Sequence, residues 1–128
     1  EGLSKLYGAS ILISERVLTG LEDPSRYRFR FVDRVKVKGK KEAVGVFEVF
    51  DGGPEESIQK KMITRSDFER GLQLFHSEDF ARASVLFKEV LSVDAADAAA
   101  RLYLQRAAHY MLHGPPPDWE QGMSMETK

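Results

Sequence analysis

Apolar and charged residues alternate between positions 28 and 37, and this pattern predicts a half-buried β-strand. Asp33 interrupts the apolar face. A second run, residues 43–50, is almost wholly apolar, and the Gly39-Lys40-Lys41 junction is short enough for a hairpin with a basic tip. The predicted buried face comprises Phe29, Phe31, Val35 and Val37, and the opposite face Arg28, Arg30, Arg34, Lys36 and Lys38.

Three further elements are predicted before this hairpin. Leu3, Leu6 and Tyr7 have helical spacing, residues 9–14 have the composition of a short buried strand, and a second short helix begins at Ser14-Glu15. Three strands and two short helices make an incomplete α+β sheet. Its other strands should come from residues before Glu1 or from another molecule, so we expect the chain to be part of a longer protein.

The composition changes at Asp51-Gly52-Gly53-Pro54, and we place a domain boundary there, with residues 52–65 as a linker. Ser66 and Glu69 have the spacing of a capping box, which predicts a helix start at Ser66. Helices are also predicted from about Asp79 and from about Asp94 to His113, where Gly114 and three prolines end the segment. Residues 66–114 therefore form an all-α segment of about three helices, and residues 115–128 a proline-rich start and tail. Trp119 in this tail is predicted to pack back onto the third helix.

Within residues 71–95 the order of small and aromatic residues resembles a tetratricopeptide repeat. Gly71, Ala83 and Phe87 match its small, small and aromatic positions, whereas Val90 and Ala95 replace the usual alanine and proline. The phenylalanines of this segment are predicted to be core residues. A single unit cannot bury both of its faces, so it should pack on the first half of the chain, on another protomer or on a protein partner.

Composition narrows the function classes. The formal net charge is −1, and no concentrated basic face suggests nucleic-acid binding. The chain has no cysteine, and its three histidines lack the context of a zinc motif. No apolar run approaches the length of a membrane span, so we expect no membrane contact from this segment and a cytoplasmic location, with any anchor of the parent protein in preceding segments.

The basic tip has two interpretations when it is taken alone. Lysines at a hairpin protect an exposed sheet edge from pairing with other chains. Alternatively, Lys38 or its neighbours contact a phosphate, because ammonium groups beside a glycine turn can approach a polyphosphate closely.

The run LSKLYGASILISERVLTGL, followed by RFRFVDRVKVKGKKEAVGVFEVFD, resembles the end of a class III adenylate or guanylate cyclase catalytic domain. The resemblance covers about residues 1–51 and includes the order of the elements. It implies conversion of ATP or GTP to a 3′,5′-cyclic nucleotide and pyrophosphate at the interface of two catalytic domains, with two metal ions, Mg²⁺ or Mn²⁺. Members of the family can continue into a tetratricopeptide-like tail.

The resemblance also assigns the site residues. The lysine of the family's VKGK hairpin contacts the triphosphate and corresponds to Lys38, with Lys40 as a second candidate after the turn. The metal-binding and transition-state residues lie upstream in the family, and neither Asp33 nor Asp51 occurs in the metal motif. This chain alone should therefore bind no metal cofactor and be inactive.

Two function hypotheses follow. In the first, the chain is the C-terminal fragment of a nucleotidyl cyclase that works as a homodimer, with a helical tail for regulation or assembly. In the second, a truncated cyclase fold and helical tail form a non-enzymatic interaction or dimerisation module, completed by strand addition at an open sheet edge.

Overall fold

The computed structural model describes residues 11–36, 42–117 and 124–125. The predicted first helix around Leu3, the Gly39 turn and Trp119 lie outside these residues. The described strands form one sheet in the order β1-β3-β2-β4, in which β1 and β2 both pair antiparallel with β3. The short β4 pairs parallel with the end of β2. The strands are β1 (Ile11–Ser14), β2 (Phe29–Lys36), β3 (Ala43–Val49) and β4 (Ser124–Met125).

Four α-helices accompany this sheet in the described part of the chain. The short α1 begins where the sequence predicts it, because the Ser14 hydroxyl accepts a hydrogen bond from the Val17 N–H and caps the helix. A 3₁₀ turn at Pro24–Arg26 then leads into β2. The predicted α+β class is confirmed: β1 to β3 precede the three long helices, and the short β4 follows them. The α-helices are α1 (Glu15–Thr19), α2 (Glu55–His76), α3 (Phe80–Val93) and α4 (Ala98–His113).

The predicted burial of β2 is wrong in its first half. The pairing of β2 with β3 shifts register between Phe31 and Asp33, which makes Val32 the extra residue of a β-bulge. Val32, Asp33 and Val35 are buried, whereas Phe31 is only half-buried. Our prediction assumed that every second residue of β2 lies on the same face. The extra residue at the bulge means that residues before and after it no longer follow one alternation.

The first helix of the helical segment begins eleven residues earlier than predicted, at Glu55 instead of Ser66. Pro54 is the N-cap residue of this helix. Glu55 and Glu56 occupy the first turn, where their negative charges interact favourably with the helix dipole. Residues 57–65 contain no glycine or proline that would interrupt a helix. Residues 55–65, which we predicted as part of a linker, are therefore helical.

The capping box at Ser66 is absent because Ser66 lies inside α2. Glu69 instead reaches the sheet, where its Oε2 accepts a hydrogen bond of 2.8 Å from the Phe31 N–H. The true caps of the next two helices are aspartates. Asp79 accepts from the Arg82 N–H before α3, and Asp97 accepts from the Ala100 N–H before α4.

The core is continuous from the sheet to the helices. Val32, Val35 and Val46 belong to the same buried cluster as the aromatic residues of α2 to α4. The phenylalanines of α2 predicted as core residues are confirmed as such, since Phe68 and Phe75 are almost fully buried, as is Leu72 between them. The core also contains residues of α3 and α4, namely Phe80, Ala83, Phe87, Val90, Ala99, Ala100, Tyr103 and Ala107.

Two glycines shape the helical segment. A Cβ atom on Gly71 would lie 2.9 Å from Cε1 of Phe87, so the absent side chain lets α2 and α3 approach closely. Gly114 ends α4 with a positive φ of 77°, a conformation that favours glycine. Within the described residues, no helix is both long enough and apolar enough to span a lipid bilayer.

Candidate functional site

The predicted phosphate-binding residues belong to the connection between β2 and β3. Lys38 and Lys40 lie outside the described residues, and their phosphate contact stays a prediction. The strands on either side are described, and Lys36 pairs with Ala43 at the base of this connection. The structure therefore defines what holds the hairpin in place.

The strongest polar contacts of the hairpin surround Arg30. Its guanidinium Nη1 and Nη2 donate to the two carboxylate oxygens of Asp97 at 2.7 and 2.9 Å. Its Nε donates to Oε1 of Glu48, directly across the strand pair, at 2.8 Å. Its Cζ also lies 4.0 Å from the centroid of the Phe68 ring, within cation–π distance. Strand β3, α2 and the N-terminal cap of α4 therefore all contact one arginine of β2.

Arg30 was predicted on the solvent face and is instead only 1% exposed. A buried guanidinium is tolerated where carboxylates accept its hydrogen bonds in a bidentate geometry. Asp97 is equally buried, and Glu48 is 4% exposed. The three side chains form a buried ionic cluster at the junction of sheet and helices.

Arg30 and Asp97 of this cluster are both charged at neutral pH. Burial by itself lowers the pKa of Arg30, but the hydrogen bonds and charges of Asp97 and Glu48 outweigh it, and the net effect raises that pKa. Burial raises the pKa of Asp97, but its hydrogen bonds with Arg30 and the charge of Arg30 outweigh that effect, so the pKa is lowered. An arginine cation and an aspartate anion are therefore the stable forms.

A second polar pair lies where α2 meets β2. The Nε2 atom of His76 is 3.9 Å from Oδ1 of Asp33, and both residues are buried. Burial, followed by the charges of Arg34 and Arg106, lowers the pKa of His76 to about 4. His76 is therefore neutral at pH 7, and the pair is not an ion pair there.

Asp33 and Asp51, which do not occur in the family's metal motif, accept hydrogen bonds from backbone N–H groups instead. Oδ1 of Asp33 accepts a hydrogen bond from the Arg34 N–H. Asp51 accepts from the backbone N–H of Arg28 at 2.8 Å and holds the start of β2 beside the end of β3. Across the described ranges, no group of three or more histidine, aspartate or glutamate residues is arranged to hold a metal ion.

The buried cluster was missed by reading the sequence, although two signals were present. Glu48 is an acid inside an otherwise apolar strand, and Asp97 precedes three alanines as a helix cap. Neither signal names its partner, because Arg30 and Asp97 are 67 positions apart.

The chain is similar in sequence to parts of two adenylate cyclases. Over 50 residues, 38% of this chain, it is 50% identical to an adenylate cyclase of Anabaena cylindrica and covers 10% of that protein. Over 107 residues, 83% of this chain, it is 31% identical to the terminal-differentiation specific adenylate cyclase of Dictyostelium discoideum and covers 5% of it. The chain thus spans about a tenth or less of the length of these relatives.

The match of 107 residues is longer than the sheet segment and longer than the helical segment, so it includes parts of both. No family model matches the chain. No solved structure matches it either.

Proposed function

We propose that the chain is the C-terminal part of a class III nucleotidyl cyclase, in which the β2–β3 hairpin contributes Lys38 to triphosphate binding. The main support is the similarity to the Dictyostelium adenylate cyclase, since it extends over both sheet and helices. The antiparallel pairing of β2 with β3 around the basic connection agrees with this role.

In this proposal the Lys38 ammonium donates hydrogen bonds to phosphate oxygens, and its charge offsets the negative charge that grows on the departing pyrophosphate. Lys40 is the second candidate for the same contact. The parent enzyme takes ATP or GTP as substrate, uses Mg²⁺ or Mn²⁺ and works as a homodimer. Its metal-binding residues precede this chain, so the described residues have no metal-dependent step of their own.

The phosphate contact can be tested on this chain by titrating ATP into it and following backbone amide signals by NMR. Replacement of Lys38 by alanine should raise the dissociation constant by about tenfold, as expected for loss of a hydrogen bond to a charged group. The matched control is Lys88→Ala on α3, an exposed lysine of the same charge. Equal weakening by both variants would indicate non-specific charge attraction and contradict the assignment.

The location of the catalytic groups has its own test. Incubation of the chain with ATP or GTP and Mg²⁺ or Mn²⁺ should yield no cyclic nucleotide. Robust production would contradict the proposal that the metal-binding and transition-state residues lie upstream.

A second candidate function, a dimerisation module, is favoured by one face of the sheet. Two cross-strand rows of apolar side chains lie on the face opposite Arg30, and Ile11 at one end of them is 47% exposed. The other five members of the rows are partly buried, and a contiguous apolar surface that keeps some solvent exposure is typical of an interaction surface. A second copy of the chain is the proposed occupant, and light scattering would show the dimer. The rows are Ile11, Val49 and Phe29, and Ile13, Phe47 and Phe31.

A further inference from the structure

Two histidines lie close together at the C-terminal end of α4. His109 and His113 are four positions apart, so they lie on the same face of the helix, one turn from each other. Both side chains are exposed, and the centroids of their rings are 4.5 Å apart. The helix therefore presents two imidazole groups to solvent at one place.

The separation of the two rings is compatible with binding to one metal ion. A zinc–nitrogen bond is about 2.0–2.1 Å long, which places the centroid of a coordinated imidazole ring about 3.2 Å from the ion. Two such rings at a right angle around the ion have centroids about 4.5 Å apart, and at a tetrahedral angle about 5.2 Å apart. The backbone of α4 therefore already holds the two rings at a chelating distance.

The position at the end of the helix adds a second favourable contribution. Aligned peptide dipoles give the C-terminus of a helix a partial negative charge, which favours a cation beside the last turn. His113 is the last residue of α4, and Gly114 follows as the C-cap. An ion held by both imidazoles would lie beside this last turn, where the helix dipole attracts it.

The donor atoms indicate which ions the pair would take. Imidazole nitrogen suits zinc, copper and nickel, whereas magnesium and manganese prefer carboxylate, carbonyl and water oxygens. Helix α4 contains no aspartate or glutamate, so no carboxylate of this helix would join the two imidazoles. The pair is therefore suited to a different class of ion from the Mg²⁺ or Mn²⁺ expected for the parent enzyme.

We propose that His109 and His113 form a bidentate site for a divalent ion of the zinc, copper and nickel class, with water in the other coordination positions. Zinc motifs supply three or four protein ligands, and this pair supplies two, so the ion is exchangeable. The bound ion links the last two turns of α4 and keeps this helix end from fraying. The site does not depend on the proposed function of Lys38, and it departs from our expectation that the chain binds no metal.

Zinc chloride titrated into the full chain, followed by calorimetry, should show one ion bound per chain. The ring signals of His109 and His113 should shift in NMR spectra, while those of the buried His76 stay in place. His109→Ala and His113→Ala should each raise the dissociation constant by about 100-fold, because a single imidazole loses the advantage of two-point attachment. Magnesium chloride at the same concentration should shift neither ring. Zinc binding that both variants leave unchanged would overturn the proposal.

The matched control keeps the number of histidines and changes only their spacing. Ala108 is exposed on α4, so the double variant Ala108→His with His109→Ala moves one imidazole by a single position. The two imidazoles then lie five positions apart, about 140° from each other around the helix axis. This variant should bind zinc as weakly as His109→Ala. Affinity equal to that of the natural chain would show that the shared helix face is irrelevant, and the chelate would be wrong.

The effect on the helix end is measured by amide hydrogen exchange. At a free zinc concentration of about 100 times the dissociation constant, exchange through local opening of the last turn should slow by about 100-fold, because only the closed helix holds both imidazoles. Amides of α3 should exchange as before. Zinc binding without slower exchange in the last turn would contradict the chelate, since an ion bound by one imidazole does not link two turns.

Discussion

At the scale of single residues, a charged side chain can be buried where several partners contact it. Arg30 is 1% exposed, yet it is held by two carboxylates and an aromatic ring. Removing one partner of such a buried pair typically costs about 3–5 kcal/mol because an uncompensated charge remains. Arg30 is therefore a structural residue of the junction between sheet and helices, whereas Lys38 and Lys40 are the candidates for ligand contact.

Gly71 gives a residue-scale prediction. Gly71→Ala should gain about 1 kcal/mol of helix propensity, but its methyl group would lie 2.9 Å from the buried Phe87 ring. Overpacking of this kind costs about 1–3 kcal/mol, so we expect a net loss of about 1 kcal/mol. Urea unfolding measures the change.

Gly52→Ala is the matched control for this prediction, because no atom lies within 4 Å of its would-be Cβ atom. Its unfolding free energy should stay close to that of the natural chain. A Gly71→Ala variant more stable than the Gly52→Ala variant would contradict the close packing of α2 on α3.

At the scale of elements, local pattern and final structure differ at two points. The bulge at Val32 exchanges the faces of β2, and α2 extends back to Glu55. The start of α2 has a local cause, namely Pro54 and the acidic first turn. Our prediction relied on the capping-box pattern at Ser66 instead and therefore placed the start too late. The bulge has no local cause in the sequence, since its partners Glu69 and Tyr103 come from distant helices.

The partly exposed apolar rows of the sheet give an element-scale prediction. If a second copy covers this face, Ile11→Lys should shift the chain toward monomer, because it places a charge in an apolar contact. Light scattering at several protein concentrations measures the change. The matched control is Val85→Lys on α3, a valine that is 58% exposed on another surface. A chain that is monomeric without any substitution would exclude this face as a self-association surface.

At the scale of the whole molecule, the sheet and the helical segment form one structural unit. They share a buried cluster, an ionic network and the hydrogen bonds that hold β2. The composition changes after residue 51, but buried contacts join residues on both sides of that position. The domain division stays a prediction, but the two parts should unfold together.

His76 makes this unit sensitive to acid. Its pKa is about 4 in the folded chain and near 6.5 when unfolded, so the unfolded state binds the proton first as pH falls. Stability should therefore drop by about 2 kcal/mol between pH 7 and pH 5, as measured by urea unfolding. Asp97 contributes little in this window, because a carboxylate with a lowered pKa loses its stabilising effect only below about pH 4.

Two variants test that assignment. His76→Gln should remove most of the pH dependence between pH 7 and pH 5, whatever its stability at pH 7. The matched control is His113→Gln, which replaces an exposed histidine at the end of α4. An unchanged slope in His76→Gln would show that another group takes up the proton.

The sequence by itself determined the elements and most of the core. Apolar spacing predicted β2, β3 and the buried phenylalanines of α2 and α3, because burial of one face imposes a period on neighbouring residues. It also identified Lys38 and Lys40 through the resemblance of their hairpin to a cyclase. Their phosphate contact stays a prediction, since both lie outside the described residues.

Only the tertiary structure decided which face of β2 is buried and what holds it. An arginine enters a core when distant carboxylates compensate for its lost hydration, and Asp97 lies 67 positions away in the sequence. The backbone groups of Phe31 and Val32 at the bulge are bound by side chains that come from α2 and α4. Such contacts between distant residues leave no period in the sequence, which is why the basic hairpin was recognised from sequence and its helical support was not.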